Sequence, residues 1–121
     1  MRILLISPVA EPVHIRKIPA APAKFTGVEL TVVAPERVAT ETAYEATGWR
    51  RVTPESPANG FGVIPLPLID PGNPFAGFEP AALRQVMRKT KPDVIQIWGA
   101  APASSASQVV WSQMRACPRA K

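Results

Sequence analysis

A continuous aliphatic run near the start of the chain is the feature that most restricts the fold. Residues 3–6 read Ile-Leu-Leu-Ile without a polar residue among them, and Pro8 follows soon after. A strand covered on one face alternates apolar and polar residues, whereas a strand covered on both faces is apolar throughout. The run therefore predicts a central strand of a parallel sheet with helices on both faces.

Residues 28–33 and 94–98 form two further apolar runs. The intervals between the runs are long enough for crossover helices, which favours βαβ units with right-handed connections. The run at 94–98 resembles a fully buried strand. If no further strand pairs with it, the backbone N–H and C=O groups along its outer side stay unpaired.

A fourth segment, residues 62–68, contains Pro65 and Pro67. Prolines two residues apart remove backbone donors from the same side of a strand, which an edge strand tolerates and a central strand does not. The segment is therefore expected at the sheet edge. The sequence predicts an α/β fold: an incomplete Rossmann-like parallel sheet in strand order 3-2-1-4, with crossover helices.

Two helices can be predicted. Pro80 suits the first turn of a helix through Thr90, and Pro102 opens a second helix that ends before Pro118. The residues expected to face inward are Leu83, Val86, Met87 and Thr90 in the first helix, and Ala103, Ala106, Val109, Val110 and Met114 in the second.

Two connections do not follow a regular pattern. Pro19 and Pro22 interrupt the first crossover, where each would cost about 3 kcal/mol in a regular helix. A short helical turn through Ile18, followed by irregular chain, is expected there. Residues 38–59 show no sustained period. An unstructured connection of this length is uncommon in a compact domain, and is usually functional or disordered.

Composition argues against several kinds of chemistry. Cys117 is the only cysteine and His14 the only histidine, so no internal disulfide can form and zinc chemistry is disfavoured. We expect no metal and no cofactor. The apolar start is too short for a signal peptide, is interrupted by Pro8, and is followed by acidic Glu11. A cytoplasmic protein is expected.

The net charge is +5, and the densest basic group lies at the end of the first predicted helix: Arg84, Arg88, Lys89 and Lys91. Cations at a helix C-terminus complement the helix dipole. No aromatic residues interleave with them, so we expect no nucleic-acid partner. Peripheral contact with an acidic membrane surface stays open.

The succession of these segments resembles the N-terminal domain of GT-B-fold glycosyltransferases of the retaining family 4. The matching stretches are MRILLISPVAEPVHIRKI, GVELTVVAPER, GFGVIPLPL and RKTKPDVIQIWGAAPASSAS. The resemblance covers nearly the whole chain, which corresponds to the first half of a typical family member. It implies that residues 1–121 are a single partial Rossmann-like domain on the acceptor side, and that the C-terminal donor domain is absent.

The resemblance also implies a reaction. Family members transfer a sugar from a nucleotide-sugar donor to an acceptor, with retained anomeric configuration. The partners would be a sugar or glycan acceptor and, through the missing C-terminal domain, the nucleotide sugar as co-substrate. That domain uses basic residues on the donor phosphates and a Glu-x7-Glu element on the sugar and ribose. Without it, the chain is expected to be inactive alone.

Ligands of such sheets bind beyond the carboxyl ends of the strands. The candidate acceptor-binding residues at those ends are Glu11, His14, Glu36, Arg37, Trp98 and Ser104. Carboxylate and imidazole groups can hydrogen-bond sugar hydroxyls, and an indole can stack on a sugar face. The alternatives are loop solvation or capping for Glu11 and His14, and a solvated charge pair for Glu36 and Arg37. For Trp98 the alternative is packing against the domain, and for Ser104 it is helix capping.

Two departures from the family pattern limit what the resemblance implies. The loop after the first strand has no glycine, so the phosphate-binding turn of many members is not expected. No histidine stands near Gln96, so no catalytic residue is assigned. Two other hypotheses about the function stay open. The chain is either a stand-alone Rossmann-like module that binds a small phosphorylated or sugar ligand, or a truncated product without function.

Overall fold

The computed structural model describes residues 1–7, 27–39, 49–54, 61–70, 76–97 and 103–121. Their secondary-structure elements, in chain order, are β1 (Arg2–Ile6), β2 (Glu29–Pro35), β3 (Arg37–Ala39), β4 (Trp49–Arg51), β5 (Phe61–Leu66), α1 (Pro80–Thr90), β6 (Val94–Ile97) and α2 (Ala103–Ala116). Four of the strands form one sheet, and β3 and β4 form a separate ribbon.

The four-stranded sheet has the order β5-β2-β1-β6, and all of its pairings are parallel. Numbered along the chain, this is the predicted order 3-2-1-4. The central strand β1 is covered on both faces. Leu4 and Ile6 belong to the core under the helices, and Leu5 packs with Leu30 and Val32 on the opposite face. The uninterrupted aliphatic run thus reflects burial on both sides.

The edge strand β5 tolerates its prolines because of the direction of its backbone. The carbonyl of Leu66 accepts a hydrogen bond from the N–H of Glu36 at 2.9 Å, so Leu66 faces β2. Backbone groups alternate from side to side along a strand, and Pro65 therefore directs its nitrogen away from β2. The backbone of Pro67 also points away from β2, because its carbonyl accepts a hydrogen bond from the N–H of Glu79 at 2.9 Å. The predicted edge position is confirmed.

Helix α1 has the predicted bounds. Pro80 stands in its first turn, where the missing N–H has no helical partner to lose. Lys91 ends the helix in a left-handed conformation with φ 46°, and donates its N–H to the carbonyl of Met87 at 2.9 Å. The inward stripe is confirmed for three buried residues: Leu83, Val86 and Met87. The fourth, Thr90, is half-buried.

Helix α2 packs against α1, but with a different face inward from the one predicted. Val109 is buried as expected. Val110 and Met114 were expected to face inward and are instead 49% and 67% exposed. Ser112 is buried in their stead. Small and apolar residues occupy much of this helix's circumference, so its sequence contains more than one candidate inward stripe.

Strand β6 is half-buried rather than fully buried, and Gln96 within it is exposed. Its outer edge also has a partner. The N–H of Lys121 donates to the carbonyl of Asp93 at 3.0 Å, and the carbonyl of Lys121 accepts from the N–H of Ile95 at 2.6 Å. The prediction of full burial is therefore wrong at this strand, and the prediction of an unpaired outer ladder is wrong for the carbonyl of Asp93 and the N–H of Ile95.

Strands β3 and β4 form an antiparallel ribbon that pairs Arg37 with Arg51 and Ala39 with Trp49. The expectation of no regular structure over residues 38–59 is wrong for these strands. Each has three residues, which is too short to show a period in the sequence. The helical turn predicted through Ile18 lies outside the described residues.

Candidate functional site

The carboxyl ends of β1, β2, β5 and β6 lie at one edge of the sheet, because the four strands are parallel. Ser7 follows β1 and is fully buried. Glu36 follows β2, and Pro67 follows β5. Open α/β sheets bind ligands beyond the carboxyl ends of their strands. A ligand-binding site is therefore expected at this carboxyl edge.

Glu36 is anchored at the carboxyl edge through its backbone. Its N–H donates to the carbonyl of Leu66 at 2.9 Å, and its own carbonyl accepts from the N–H of Val52 at 2.8 Å. These two bonds join the end of β2 to β5 on one side and to the segment after β4 on the other. The side chain itself is exposed. The backbone is thus held in place while the carboxylate stays accessible to a ligand.

Arg37 follows directly and opens β3, where its backbone pairs with that of Arg51. Its side chain is exposed as well. The ribbon keeps Arg37 beside the end of β2, and Glu36 is its neighbour in the chain. A guanidinium donates several hydrogen bonds in a planar fork, and a carboxylate only accepts them. The two residues together suit a ligand that carries hydroxyl or phosphate groups.

Two cavities flank this pair, each of about 290 Å³. One is lined by Glu36, Arg37, Val52, Pro54 and Pro65. The other is lined by Pro35, Glu36, Arg37, Pro67 and Leu68. Prolines and aliphatic side chains form the walls, and Glu36 and Arg37 supply the charge. Apolar walls with a few polar groups are typical of small-ligand sites. We call these two residues and the two cavities the Glu36–Arg37 corner.

A larger cavity, of about 950 Å³, lies at the opposite edge of the sheet, between the end of α1, the start of β6 and the C-terminal residues. Several of its lining residues are basic, among them Arg88 and Lys91. The last carbonyls of α1 carry partial negative charge at this end, and the helix dipole accounts for these cations. The two smaller cavities lie at the carboxyl ends of the strands, where sheets of this kind bind ligands, and they are therefore the better candidates for a ligand site.

Four other acceptor-binding residues were predicted from the sequence. Glu11, His14 and Trp98 lie outside the described residues, and Ser104 is in the first turn of α2. The structure adds wall residues that the sequence did not predict, such as Val52 and Pro54. They follow β4, a strand too short to produce a recognisable pattern.

In the described part of the chain, no group of three His, Cys, Asp or Glu residues comes together as metal ligands do. Among the same residues, neither helix has the length and apolar character needed to cross a membrane. Compared with known proteins, the chain matches no family model, no curated protein and no solved structure. The fold and the site define an α/β protein with a parallel 3-2-1-4 sheet and a small charged corner at its carboxyl edge.

Proposed function

We propose that this chain is the N-terminal, acceptor-side part of a retaining glycosyltransferase, and that the Glu36–Arg37 corner contacts the acceptor. The observation that carries the proposal is the position of the corner, at the carboxyl edge of a 3-2-1-4 sheet between two small apolar-walled cavities. The sequence resemblance to family 4 supplies the class of reaction. The protein would act in the cytoplasm, with the nucleotide sugar bound by a further domain.

In this role the corner binds the acceptor and does not react with it. The Glu36 carboxylate accepts hydrogen bonds from acceptor hydroxyls, and the Arg37 guanidinium donates to hydroxyl or phosphate oxygens. The backbone bonds of Glu36 to Leu66 and Val52 hold the pair in position before the ligand arrives. Such preorganisation reduces the free energy lost in ordering the site on binding.

An NMR titration with glucose 1-phosphate tests the corner, because this probe carries both hydroxyl and phosphate groups. We expect the largest chemical-shift changes at the amides of Glu36 and Arg37. Glu36→Gln and Arg37→Ala should each weaken binding by about tenfold or more, since a hydrogen bond to a charged group contributes about 1.5–3 kcal/mol. Glu29→Gln is the matched control, because Glu29 is an exposed glutamate at the other end of β2.

Several results would contradict parts of the proposal. Equal weakening by Glu29→Gln, or no shift at the corner, would remove the acceptor assignment. Sugar transfer by the purified chain from a nucleotide sugar would show that it is active alone. Absence of a cooperative thermal transition would favour a product without function, because a folded single domain unfolds in one transition. Tight nucleotide-sugar binding without transfer would instead favour the stand-alone module.

A further inference from the structure

The cavity of about 950 Å³ lies at the amino edge of the sheet, where β1 and β6 begin. Arg2 and Val94, the first residues of these two strands, line it, and its other walls come from the end of α1 and from the segment after α2. Sites for small molecules have volumes of about 300–1,000 Å³. The described lining includes no residue of the Glu36–Arg37 corner, so this amino-edge cavity is a separate feature of the surface.

Basic side chains dominate the lining of the amino-edge cavity. The five cationic residues are Arg2, Arg88, Lys91, Arg119 and Lys121. Asp93 is the one acidic residue among the described lining, which leaves a net side-chain charge of +4. The whole chain has a net charge of +5, so its remaining nine basic and eight acidic side chains almost cancel. Most of the surplus positive charge of the protein is therefore carried by this cavity.

A carboxylate offsets only one of these cations within the described part of the chain. Asp93 accepts a hydrogen bond from the backbone N–H of Arg2 at 2.7 Å, and the guanidinium of Arg2 lies 3.7 Å from the same carboxylate. The other four cationic side chains form no ion pair with any described residue. Like charges around a cavity repel each other, and its low-dielectric walls concentrate their field. A bound anion would relieve this repulsion.

The helix dipoles do not account for all of this positive charge. Arg88 and Lys91 stand at the end of α1, and Ala116, the last residue of α2, lines the same cavity. Each helix end carries about −0.5 elementary charge, so the two ends together offset about one cation and leave about three positive charges. Lys89 is also in the last turn of α1 but lines a different cavity. A cation can therefore complement the dipole without lining this cavity.

Backbone hydrogen bonds fix the walls that carry the cations. Lys91 ends α1 in a left-handed conformation, with its N–H bonded to the last turn of the helix. Arg119 lies in a β-turn in which the N–H of Ala120 donates to the carbonyl of Cys117 at 3.0 Å. Pro118 occupies the second position of this turn, where the fixed φ of proline is favourable. The cavity is thus formed before a ligand arrives, which lowers the cost of binding.

We propose that the amino-edge cavity binds a small molecule with two or more linked phosphate groups. A single phosphate brings at most about two negative charges near neutral pH, whereas about three positive charges remain beside the two helix ends. The guanidinium groups of Arg88 and Arg119 suit bidentate binding of phosphate oxygens, and Lys91 supplies a point charge. This site is independent of the proposed function, because the acceptor corner lies at the other edge of the sheet.

Isothermal titration calorimetry with inorganic tripolyphosphate tests the site. We expect one tripolyphosphate per chain, bound about tenfold or more tightly than inorganic phosphate. Arg88→Gln and Arg119→Gln should each weaken binding by about tenfold, because each removes hydrogen bonds from a charged donor. Lys89→Gln is the matched control. It removes the same charge from the same helix turn as Arg88→Gln, but outside the cavity, and should change the affinity less than about twofold.

All three substituted positions are exposed, so the variants should keep the fold, which circular dichroism checks. Equal weakening by Lys89→Gln and Arg88→Gln would overturn the site, because it would show attraction to the overall charge of the chain. Equal affinities for tripolyphosphate and inorganic phosphate would contradict a ligand with linked phosphates.

NMR locates the bound anion. Tripolyphosphate should shift the amides of Lys91 and Arg119, whereas shifts confined to Glu36 and Arg37 would place it at the acceptor corner and refute the amino-edge site. A phosphoinositide lipid presents similar phosphate groups on a membrane. Sedimentation of the chain with vesicles that contain phosphatidylinositol bisphosphate, without tripolyphosphate binding in solution, would replace the small-molecule site by a membrane contact.

Discussion

The side-chain amide of Gln108 bonds to both backbone groups of Phe78. The N–H of Phe78 donates to Oε1 of Gln108 at 3.1 Å, and Nε2 of Gln108 donates to the carbonyl of Phe78. Gln108 belongs to α2, and Phe78 is a buried core residue two positions before α1. One side chain thus connects the second helix to the segment that leads into the first, and fixes which face of α2 points inward.

Replacing this amide should destabilise the fold. Gln108→Leu leaves both backbone groups of Phe78 without their partner, at a cost of about 1–3 kcal/mol in the free energy of unfolding. Gln108→Glu keeps an acceptor for the N–H but places a carboxylate oxygen against the carbonyl, so the loss should be at least as large. Urea denaturation measures both. Gln85→Leu, at an exposed position of α1, is the control, and a loss there equal to that of Gln108→Leu would contradict the assignment.

The two sides of β5 should respond differently to proline. Pro65→Val adds a donor on the side away from β2 and removes no ladder bond, so the free energy of unfolding should fall by no more than about 1 kcal/mol. Ile64→Pro removes an N–H that points to β2 and leaves a buried carbonyl of that strand unpaired, so the loss should exceed that of Pro65→Val by about 1–3 kcal/mol. Thermal unfolding monitored by circular dichroism distinguishes them. Similar losses would mean that the strand is oriented differently.

Asp93 should make stability depend on pH in the acidic range. The backbone N–H of Arg2 donates to its carboxylate at 2.7 Å and, despite some opposing desolvation, holds the pKa of Asp93 below its ordinary value. The ionised group therefore stabilises the fold above the ordinary pKa of about 3.9, and this contribution disappears as the pH falls through the lowered value. The stability difference between the native chain and Asp93→Asn should be constant above about pH 5 and shrink below about pH 4.

Arg2→Ala is the informative comparison for that experiment. The guanidinium of Arg2 lies 3.7 Å from the carboxylate in an exposed pair, which contributes little in water. The substitution keeps the backbone N–H, so most of the pH dependence should remain in urea titrations. Its complete loss in Arg2→Ala would show that the side chain, and not the backbone, sets the pKa of Asp93.

Cys117 should react slowly for a cysteine near a chain end. It is half-buried, and burial raises the pKa of its thiol. The thiolate is the reactive form, so alkylation by iodoacetamide near pH 8 should be slower in the folded chain than in urea. Mass spectrometry follows the rate without ambiguity, because the chain has no other cysteine. Equal rates in the two states would contradict burial of the thiol.

Much of the sheet was predictable because its signals are local. The aliphatic run of β1 needs cover on both faces in any fold, and the two prolines near the end of β5 exclude a central position wherever the strand lies. The bounds of α1 follow from Pro80 and from Lys91-Pro92 in the same way. Glu36 and Arg37 could be placed at the carboxyl edge because they follow a strand whose direction was predicted.

The remaining features depend on contacts between distant segments. The β3–β4 ribbon, which supplies Val52 to the wall of the Glu36–Arg37 corner, is too short to have a period of its own. The inward face of α2 is chosen by the bond between Gln108 and Phe78, since its sequence allows more than one stripe. Strand order and edge positions were thus determined by the sequence, through residues that permit one environment only. The rotation of α2, the walls of the corner and the pairing of Lys121 were decided by tertiary structure, because their stabilising partners are far away in the chain.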